Sequence, residues 1–491
     1  MCGIVGIISQ NQVAAELYES LIHLQHRGQD SVGILTSAVH LHKVCGTGLV
    51  REVFNKQNLA KLAGNIGLGH VRYSTSGNSE SYEEIQPFWL NSPYGIAIAH
   101  NGNLVNQQML NEELQRRRLR HLNTSSDSEM LLNLFADGFE TSKASADKTD
   151  FFSQICDSVA SLHKIVNGAY AVVGMIVGKG LVAFRDPNGI RPLVYGRRLN
   201  ANGKYDYIFA SEPTMFHFLG FTDLTNVKAG EVVFIDLASN LHKRVLSSNK
   251  FCPCIFEYIY FARPDAILDD INVYHARLHM GQNLARKWKE KFGAILPDIV
   301  IPIPFTSNTA ALAFAHELGV RYSEGLYKNP FIGRTFIMPN ATERQRSVRY
   351  KLSPQETEIR NKKVLVLDDS IVRGTTSKEI ISMLRHRGAK EVYFVSTCPP
   401  VKYPCFYGID MPTTTELIAA EKTITEIRNF LGADKLLYQT IPDLVEAITR
   451  KGSQHISSYC MACLSGQYPT GEISQFMQQE LSKKREQERD E

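Results

Sequence analysis

Three groups of residues could do chemistry. The first is Asp368–Asp369 followed by a loop of small and hydroxyl residues, Ser370–Ser377, in the stretch KVLVLDDSIVRGTTSKEII. Adjacent carboxylates can hold Mg²⁺ or accept bonds from sugar hydroxyls. A loop of small residues running into a helix N-terminus offers free N–H groups and a favourable dipole to a phosphate. Together they point to a phosphorylated sugar or nucleotide, taken with metal. Neither GxxxxGK[ST] nor GxGxxG is present in this loop, so the P-loop and dinucleotide fingerprints do not apply. The second group is Cys2, preceded only by Met1. A small residue at position two favours removal of the initiator Met, which would leave the thiol beside a free α-amino group. That amine has a reference pKa of about 7.7–8.0 and can serve the neighbouring thiol as a base. The third group is Cys460-x-x-Cys463, with Cys252, Cys254 and Cys405 elsewhere in the chain. A lone C-x-x-C fits a redox pair, a zinc half-site, an iron–sulfur half-site or chance spacing.

The elements that must position these groups follow from the apolar patterning. Val364–Leu367 reads as a strand buried on both faces of a parallel sheet, with the acids at its carboxyl end, where open α/β sheets bind ligands. Lys378–Arg387 has helical spacing, with Ile380, Ile381 and Leu384 on one side. Asp298–Ala315 repeats the strand–loop–helix order. Gly3–Ile8 reads as a strand with Cys2 at its end, and further strands are expected at Ala169–Val177, on either side of the DPNG turn within Leu181–Gly196, and at Gly230–Asp236. The polar stretch Ala238–Lys250 has linker character, which places a boundary near 250.

Length and composition agree with two domains. A chain of 491 residues, 43% hydrophobic and 21% charged, exceeds what one core normally supports. The net charge of +4 gives no basis for a nucleic-acid partner. No apolar run reaches membrane-spanning length, and the N-terminus carries no basic segment followed by an apolar one, which argues against a signal peptide, so a cytoplasmic protein is expected. Nine scattered cysteines speak against a disulfide framework. The mixed charges of Lys483–Glu491 read as a solvated tail.

The strand, acid pair and Gly-Thr-Thr loop resemble the phosphoribosylpyrophosphate (PRPP) signature of type I phosphoribosyltransferases. The resemblance implies that Asp368 and Asp369 hold ribose hydroxyls and Mg²⁺, and that Ser370, Arg373, Gly374, Thr375, Thr376 and Ser377 cradle the 5-phosphate. It also implies that Thr306, with Ser307, serves pyrophosphate and metal, although Phe305 stands where the family usually carries an acid. Cys2 together with LQHRGQDSVGI, GHVRYSTSG, AHNGNL and TSSDSE is similar to the class II glutamine amidotransferases, which are N-terminal-nucleophile hydrolases. That likeness implies Asn101 and Gly102 as oxyanion donors, Arg72 as the clamp for the glutamine α-carboxylate, and Asp127 for its ammonium.

Taken whole, the chain resembles the glutamine PRPP amidotransferase family. The likeness implies an N-terminal αββα four-layer hydrolase domain (2–250), an α/β phosphoribosyltransferase domain with a parallel sheet (251–470), and a charged tail (471–491). The implied activity makes 5-phosphoribosylamine from glutamine and PRPP, opening purine synthesis. The basic segment Tyr327–Leu352 resembles the loop that closes over PRPP, with Lys328, Arg334 and Thr335 at the diphosphate and Pro330 in place of the usual Arg. CIFEYIYFARPD resembles the ammonia path, with Tyr258 and Arg263 as candidates. Cys254, Cys405, Cys460 and Cys463 match the branch that carries a [4Fe–4S] cluster. Feedback by purine nucleotides and a homo-oligomer, a tetramer, are implied as well. Rival class II amidotransferases carry a sugar isomerase or an ATP-pyrophosphatase domain, and DDSIVRGTTS argues against both. Intact Cys2, Asn101–Gly102 and Asp368–Asp369 argue against a nucleotide sensor with dead sites.

Overall fold

The computed structural model describes residues 1–73, 82–143, 150–247, 249–330, 351–411, 413–452, 456, 458–471 and 473. In the first half, short apolar runs broken by glycine and polar turns form two antiparallel sheets. The strands are β1 (Gly3–Ile8), β2 (Ser31–Ser37), β3 (Leu41–Thr47), β4 (Ile66–Arg72), β5 (Phe88–Leu90), β6 (Ile96–Leu104), β7 (Gly168–Ile176), β8 (Gly180–Arg185), β9 (Val194–Leu199), β10 (Tyr205–Ala210), β11 (Thr222–Asn226), β12 (Glu231–Asp236) and β13 (Leu241–Val245). One sheet runs β11-β9-β10-β1-β4-β2-β3 and the other β13-β12-β8-β7-β6-β5. Ile4, Leu68, Ala99, Val173, Leu181 and Phe209 fill the space between them. The helix Ala14–Leu24 covers the first sheet with Leu17, Leu21 and Leu24. Asp127–Lys143 and Phe151–Ile165 cover the second through Leu131, Phe135, Phe139, Ile155 and Val159. This is the expected αββα layering.

Two local expectations are corrected. The stretch with linker character contains β13, the edge partner of β12. Its polar side chains suit an edge strand with one face in solvent. The strands on either side of DPNG, read from the sequence as parts of one remaining sheet, belong to two. β8 lies in the second sheet and β9 in the first, so DPNGIRPL is a crossover between layers.

The second half carries a parallel five-stranded sheet. Its strands, in spatial order, are Arg321–Tyr322, Ile299–Pro302, Lys363–Asp368, Glu391–Ser396 and Lys435–Tyr438. Val364 and Val366 pack into one apolar layer and Leu365 and Leu367 into the other, which is why this strand reads as a continuous hydrophobic run. In chain order the sheet is 2-1-3-4-5, so the strand order reverses between Ile299–Pro302 and Lys363–Asp368. Ligands bind at the carboxyl ends of strands at such a switch point. Thr306 and the acid pair follow these two strands. The FEYIYF stretch forms a π-helical turn, Glu257–Phe261, between the two halves.

Candidate active sites

Antiparallel pairing of β1 with β4 sets Gly3 opposite Val71, which brings Cys2 beside the end of the strand that carries Arg72. The Cys2 backbone N–H donates to Asn101 Oδ1 at 3.2 Å, and its Sγ lies 3.8 Å from the Tyr73 carbonyl. Asn101 is fully buried on β6, and among the described residues its Nδ2 has no hydrogen-bond partner. The amide is therefore anchored by its oxygen to the nucleophile residue, with its donor left over. Gly102 admits no side chain, since a Cβ there would stand 1.9 Å from the Ala169 carbonyl oxygen. Beside this strand Asp127 accepts the Leu104 N–H at 3.0 Å. His100 Nδ1 meets Ser128 Oγ at 3.0 Å and lies 3.9 Å from Asp127. Burial pushes His70 and His100 below the ordinary imidazole range, so both rings are neutral at physiological pH. Arg72 donates to Glu84 at 3.0 Å, and Glu84 also accepts from Ser125 at 2.7 Å.

A buried ionic chain, which the sequence did not reveal, supports the nucleophile from behind. Arg27, in the HRGQ stretch, donates its Nε to the Cys2 carbonyl at 3.1 Å. Its terminal nitrogens reach Glu212 and Glu257, the latter at 2.8 and 3.1 Å. Arg191 donates to the same Glu257 carboxylate at 2.8 Å. Burial pushes Glu212 up, but the charges of His26 and Arg27 outweigh it and hold the carboxyl at about 2. Glu212 also accepts the Arg263 backbone N–H at 3.0 Å.

At the other site Asp368 and Asp369 are buried at the end of their strand. Burial pushes both carboxyls up, Asp368 further because of the charge on Asp369. Hydrogen bonds from Thr306 and Ser370 and the charge of Arg277 act on Asp369 in the opposite direction. Thr306 and Ser370 (2.8 Å) both donate to Asp369. Two buried carboxylates that disfavour each other's charge, with a hydroxyl beside them, fit a hard divalent cation. Gly374 begins the helix Thr375–His386 at φ 76, and a Cβ there would meet Ile418 at 2.7 Å. Thr375 and Thr376 are exposed at this helix start and Ser377 is buried. Arg373 pairs with Glu416 at 2.8 Å. Lys328 lies over the exposed Phe305 ring, 5.2 Å from its centroid. Arg334 and Thr335 lie outside the described residues.

A cavity of about 510 Å³ joins the two regions, lined by His26 and Gln29 from the first half and by Arg263, Arg277, Thr306 and Lys328 from the second. Arg263 thus faces it, whereas Tyr258 is wholly buried, with its hydroxyl 3.4 Å from the Leu268 carbonyl and its ring against Tyr459. Arg277, another residue the motifs did not reveal, holds the Tyr258 and Ala262 carbonyls at 3.0 and 2.8 Å.

Cys254, Cys405, Cys460 and Cys463 are buried in one apolar cluster and joined by no disulfide, with Cys252 and Cys398 in the same cluster. The amide of Cys460 donates to the Pro253 carbonyl at 2.9 Å, and that of Ile255 to the Cys460 carbonyl at 3.2 Å. Among the described residues no three Cys, His, Asp or Glu side chains converge as ligands of one metal ion. A four-iron cluster takes one thiolate per iron and calls for four spaced thiols. Four buried thiols in one apolar cluster are a donor set of the kind such a cluster takes, and one that structural zinc also takes.

The segment after Cys405 touches β6. Asn103 Nδ2 donates to the Phe406 carbonyl at 3.0 Å, and a Cβ on Gly408 would lie 2.9 Å from the Gly102 carbonyl oxygen. Among the described residues no helix is long and apolar enough to cross a membrane.

Comparison with known proteins agrees with this picture. Residues 70–217 match a model for a glutamine amidotransferase domain. The amidophosphoribosyltransferase of Pseudomonas aeruginosa is 48% identical, with 97% of this chain and 94% of that protein covered. That of Saccharomyces cerevisiae is 45% identical, covering 99% and 96%. The solved glutamine PRPP amidotransferase of B. subtilis, complexed with ADP and GMP, superposes with a TM-score of 0.83 at 38% identity, over 96% of this chain and 98% of that one.

Proposed function

The chain belongs to the amidophosphoribosyltransferase family, and on that premise we propose how its residues divide the work. It catalyses the first step of purine biosynthesis, in which glutamine, PRPP and water give 5-phosphoribosylamine, glutamate and pyrophosphate.

Residues 2–250 form the glutaminase domain, 251–470 the phosphoribosyltransferase domain and 471–491 a charged tail. With Met1 removed, the Cys2 amine takes the thiol proton and Sγ attacks the glutamine side-chain carbonyl. The oxyanion is held by Asn101 Nδ2 and the Gly102 N–H, while Arg72 and Asp127 bind the α-carboxylate and α-ammonium. Collapse of the intermediate expels ammonia, which takes the amine's proton, and leaves a γ-glutamyl thioester that water hydrolyses to glutamate. Ammonia passes through the cavity lined by Arg263 to C1 of PRPP, and diphosphate leaves; Tyr258, buried in the same turn as the lining residues Tyr260 and Phe261, supports that path from behind. An enclosed path keeps ammonia from being protonated in bulk water. Asp368 and Asp369 hold the ribose hydroxyls, Ser370, Arg373, Gly374, Thr375, Thr376 and Ser377 hold the 5-phosphate, and Lys328, Arg334 and Thr335 hold the diphosphate. Mg²⁺, held by Thr306, Asp368 and Asp369, supplies neutralising charge for the leaving diphosphate. Cys254, Cys405, Cys460 and Cys463 hold a [4Fe–4S] cluster that joins the C-terminal segment to the rest. Purine nucleotides act as feedback inhibitors, as the nucleotides in the B. subtilis complex support. The enzyme works in the cytoplasm as a homotetramer.

The observation that carries the glutaminase assignment is the Asn101 amide, fixed to Cys2 by its oxygen and keeping a buried donor without a partner. Loss of one oxyanion donor lowers kcat about 10²–10³-fold. Asn101→Ala should therefore depress glutamine-dependent synthesis by that factor and leave ammonia-dependent synthesis at the wild-type rate. Equal losses in both assays would overturn the assignment.

A further inference from the structure

Arg191 is fully buried within the DPNGIRPL crossover. Its nitrogens are unequally satisfied: Nη2 donates to Glu257 at 2.8 Å and Nη1 to the Tyr407 carbonyl at 3.3 Å. Nε is buried and has no partner among the described residues. A charged donor left unpaired in the interior is penalised more heavily than a neutral one, so a partner is expected for it.

The surroundings say what that partner is. Arg191 lies between two of the thiol-bearing segments. The Cys254 amide donates to the Ile190 carbonyl at 3.1 Å, one residue before Arg191. The carbonyl that Nη1 reaches belongs to Tyr407, whose own amide donates to Cys405 Sγ at 3.4 Å. Burial works against the Arg191 charge, and Cys254, Glu257 and Cys405 are the main groups that support it.

We propose that the Nε–H of Arg191 donates a hydrogen bond to a sulfur of the iron–sulfur cluster held by Cys254, Cys405, Cys460 and Cys463. The inference rests on the assignment of those four cysteines as ligands. Arg191 is a positioning residue: it neutralises part of the cluster's negative charge and favours its reduced form. The same guanidinium shares Glu257 with Arg27, whose Nε holds the Cys2 carbonyl. Two arginines sharing one carboxylate thus connect the cluster to the glutaminase nucleophile.

The test uses the whole enzyme, purified without oxygen from cells fed arginine labelled with ¹⁵N at Nε and reduced with dithionite. Pulsed EPR of the reduced wild-type cluster should show a ¹⁵N coupling. It should vanish in Arg191→Lys, which should keep its four irons with a midpoint potential shifted to lower values. A four-iron cluster without ¹⁵N coupling in the wild type would overturn the inference and leave the ligand assignment standing. So would an Arg191→Lys protein with wild-type potential. Wild-type protein free of iron and acid-labile sulfide would overturn the ligand assignment, and the inference with it. The wild-type spectrum decides the matter even where the variant does not fold.

Discussion

Replacing Arg27 by Met keeps most of the side-chain volume and deletes the charge that Glu212 and Glu257 share. Glu257 retains Arg191, so Glu212 bears the larger loss and keeps His26 as its one charged partner, with the Arg263 backbone N–H. Its carboxyl, at about 2 against an ordinary 4.5, corresponds to about 3 kcal/mol of charge stabilisation. Breaking a buried pair by removing one partner costs about 3–5 kcal/mol. We therefore expect Arg27→Met to lose about 3 kcal/mol at pH 8, read from urea unfolding followed by near-ultraviolet circular dichroism. The pH dependence identifies the cause. In the wild type the folded pKa of Glu212 lies below the unfolded one, so its contribution is complete above about pH 4.5 and fades as pH falls toward 2. In the variant burial pushes the same carboxyl upward, and it takes a proton in mildly acid solution. The deficit should then shrink between pH 8 and pH 5.5, and adding Glu212→Gln should recover about half of it. Glutaminase turnover should fall as well, because Arg27 Nε no longer fixes the Cys2 carbonyl, while ammonia-dependent synthesis persists. A deficit under about 1 kcal/mol, or one equal at both pH values, would refute the argument from buried charge.

Three further outcomes follow from the same geometry. Protein kept with Met1 attached should lack glutaminase activity yet make phosphoribosylamine from ammonia; full glutamine-dependent turnover with Met1 verified by mass spectrometry would contradict the role of the Cys2 amine. Gly102→Ala, whose Cβ meets the Ala169 oxygen at 1.9 Å, should shift the oxyanion strand and reduce glutamine-dependent kcat at least about tenfold, given that small misplacements at a reacting centre lose up to 10²-fold. Asp368→Asn removes one of two mutually repelling buried carboxylates. Because that carboxyl is raised in the folded protein, its ionised form weakens the fold at neutral pH. The ligand-free variant should melt a few degrees higher, and the midpoint gap should close below about pH 4. PRPP-dependent activity should fall meanwhile. A lower midpoint in scanning calorimetry would reject that account.

The legible parts of the molecule were those written in contiguous residues. Lys363–Asp368 and the loop to Thr375 read directly, because a strand buried on both faces, an acid pair and a helix start are local features. Asn101–Gly102 was found through its motif, although only the fold shows that the Asn101 oxygen holds Cys2. The chain from Arg27 through Glu212 and Glu257 to Arg191 was hidden, since its members stand 185, 230 and 66 residues apart and each alone looks like a surface charge. Arg277 was hidden for the same reason, lying in a helix whose partners are backbone carbonyls. The DPNG crossover misled because a turn signal fixes the bend and not the sheet that the next strand joins. β13 misled because an exposed edge strand and a polar linker share a composition.

The contact of Gly408 and Phe406 with β6 bears on how such enzymes can be recombined. The proposed junction near residue 250 does not divide the proposed glutamine site, because Gly102 and Asn103 touch residues beyond 400. A glutaminase cut at that junction would carry Cys2 and Asn101 and lose the surface that presses the oxyanion strand from outside. Grafting this half onto another ammonia-using domain therefore requires the 405–410 segment, or a substitute of the same shape, to travel with it. The portable unit is discontinuous in sequence.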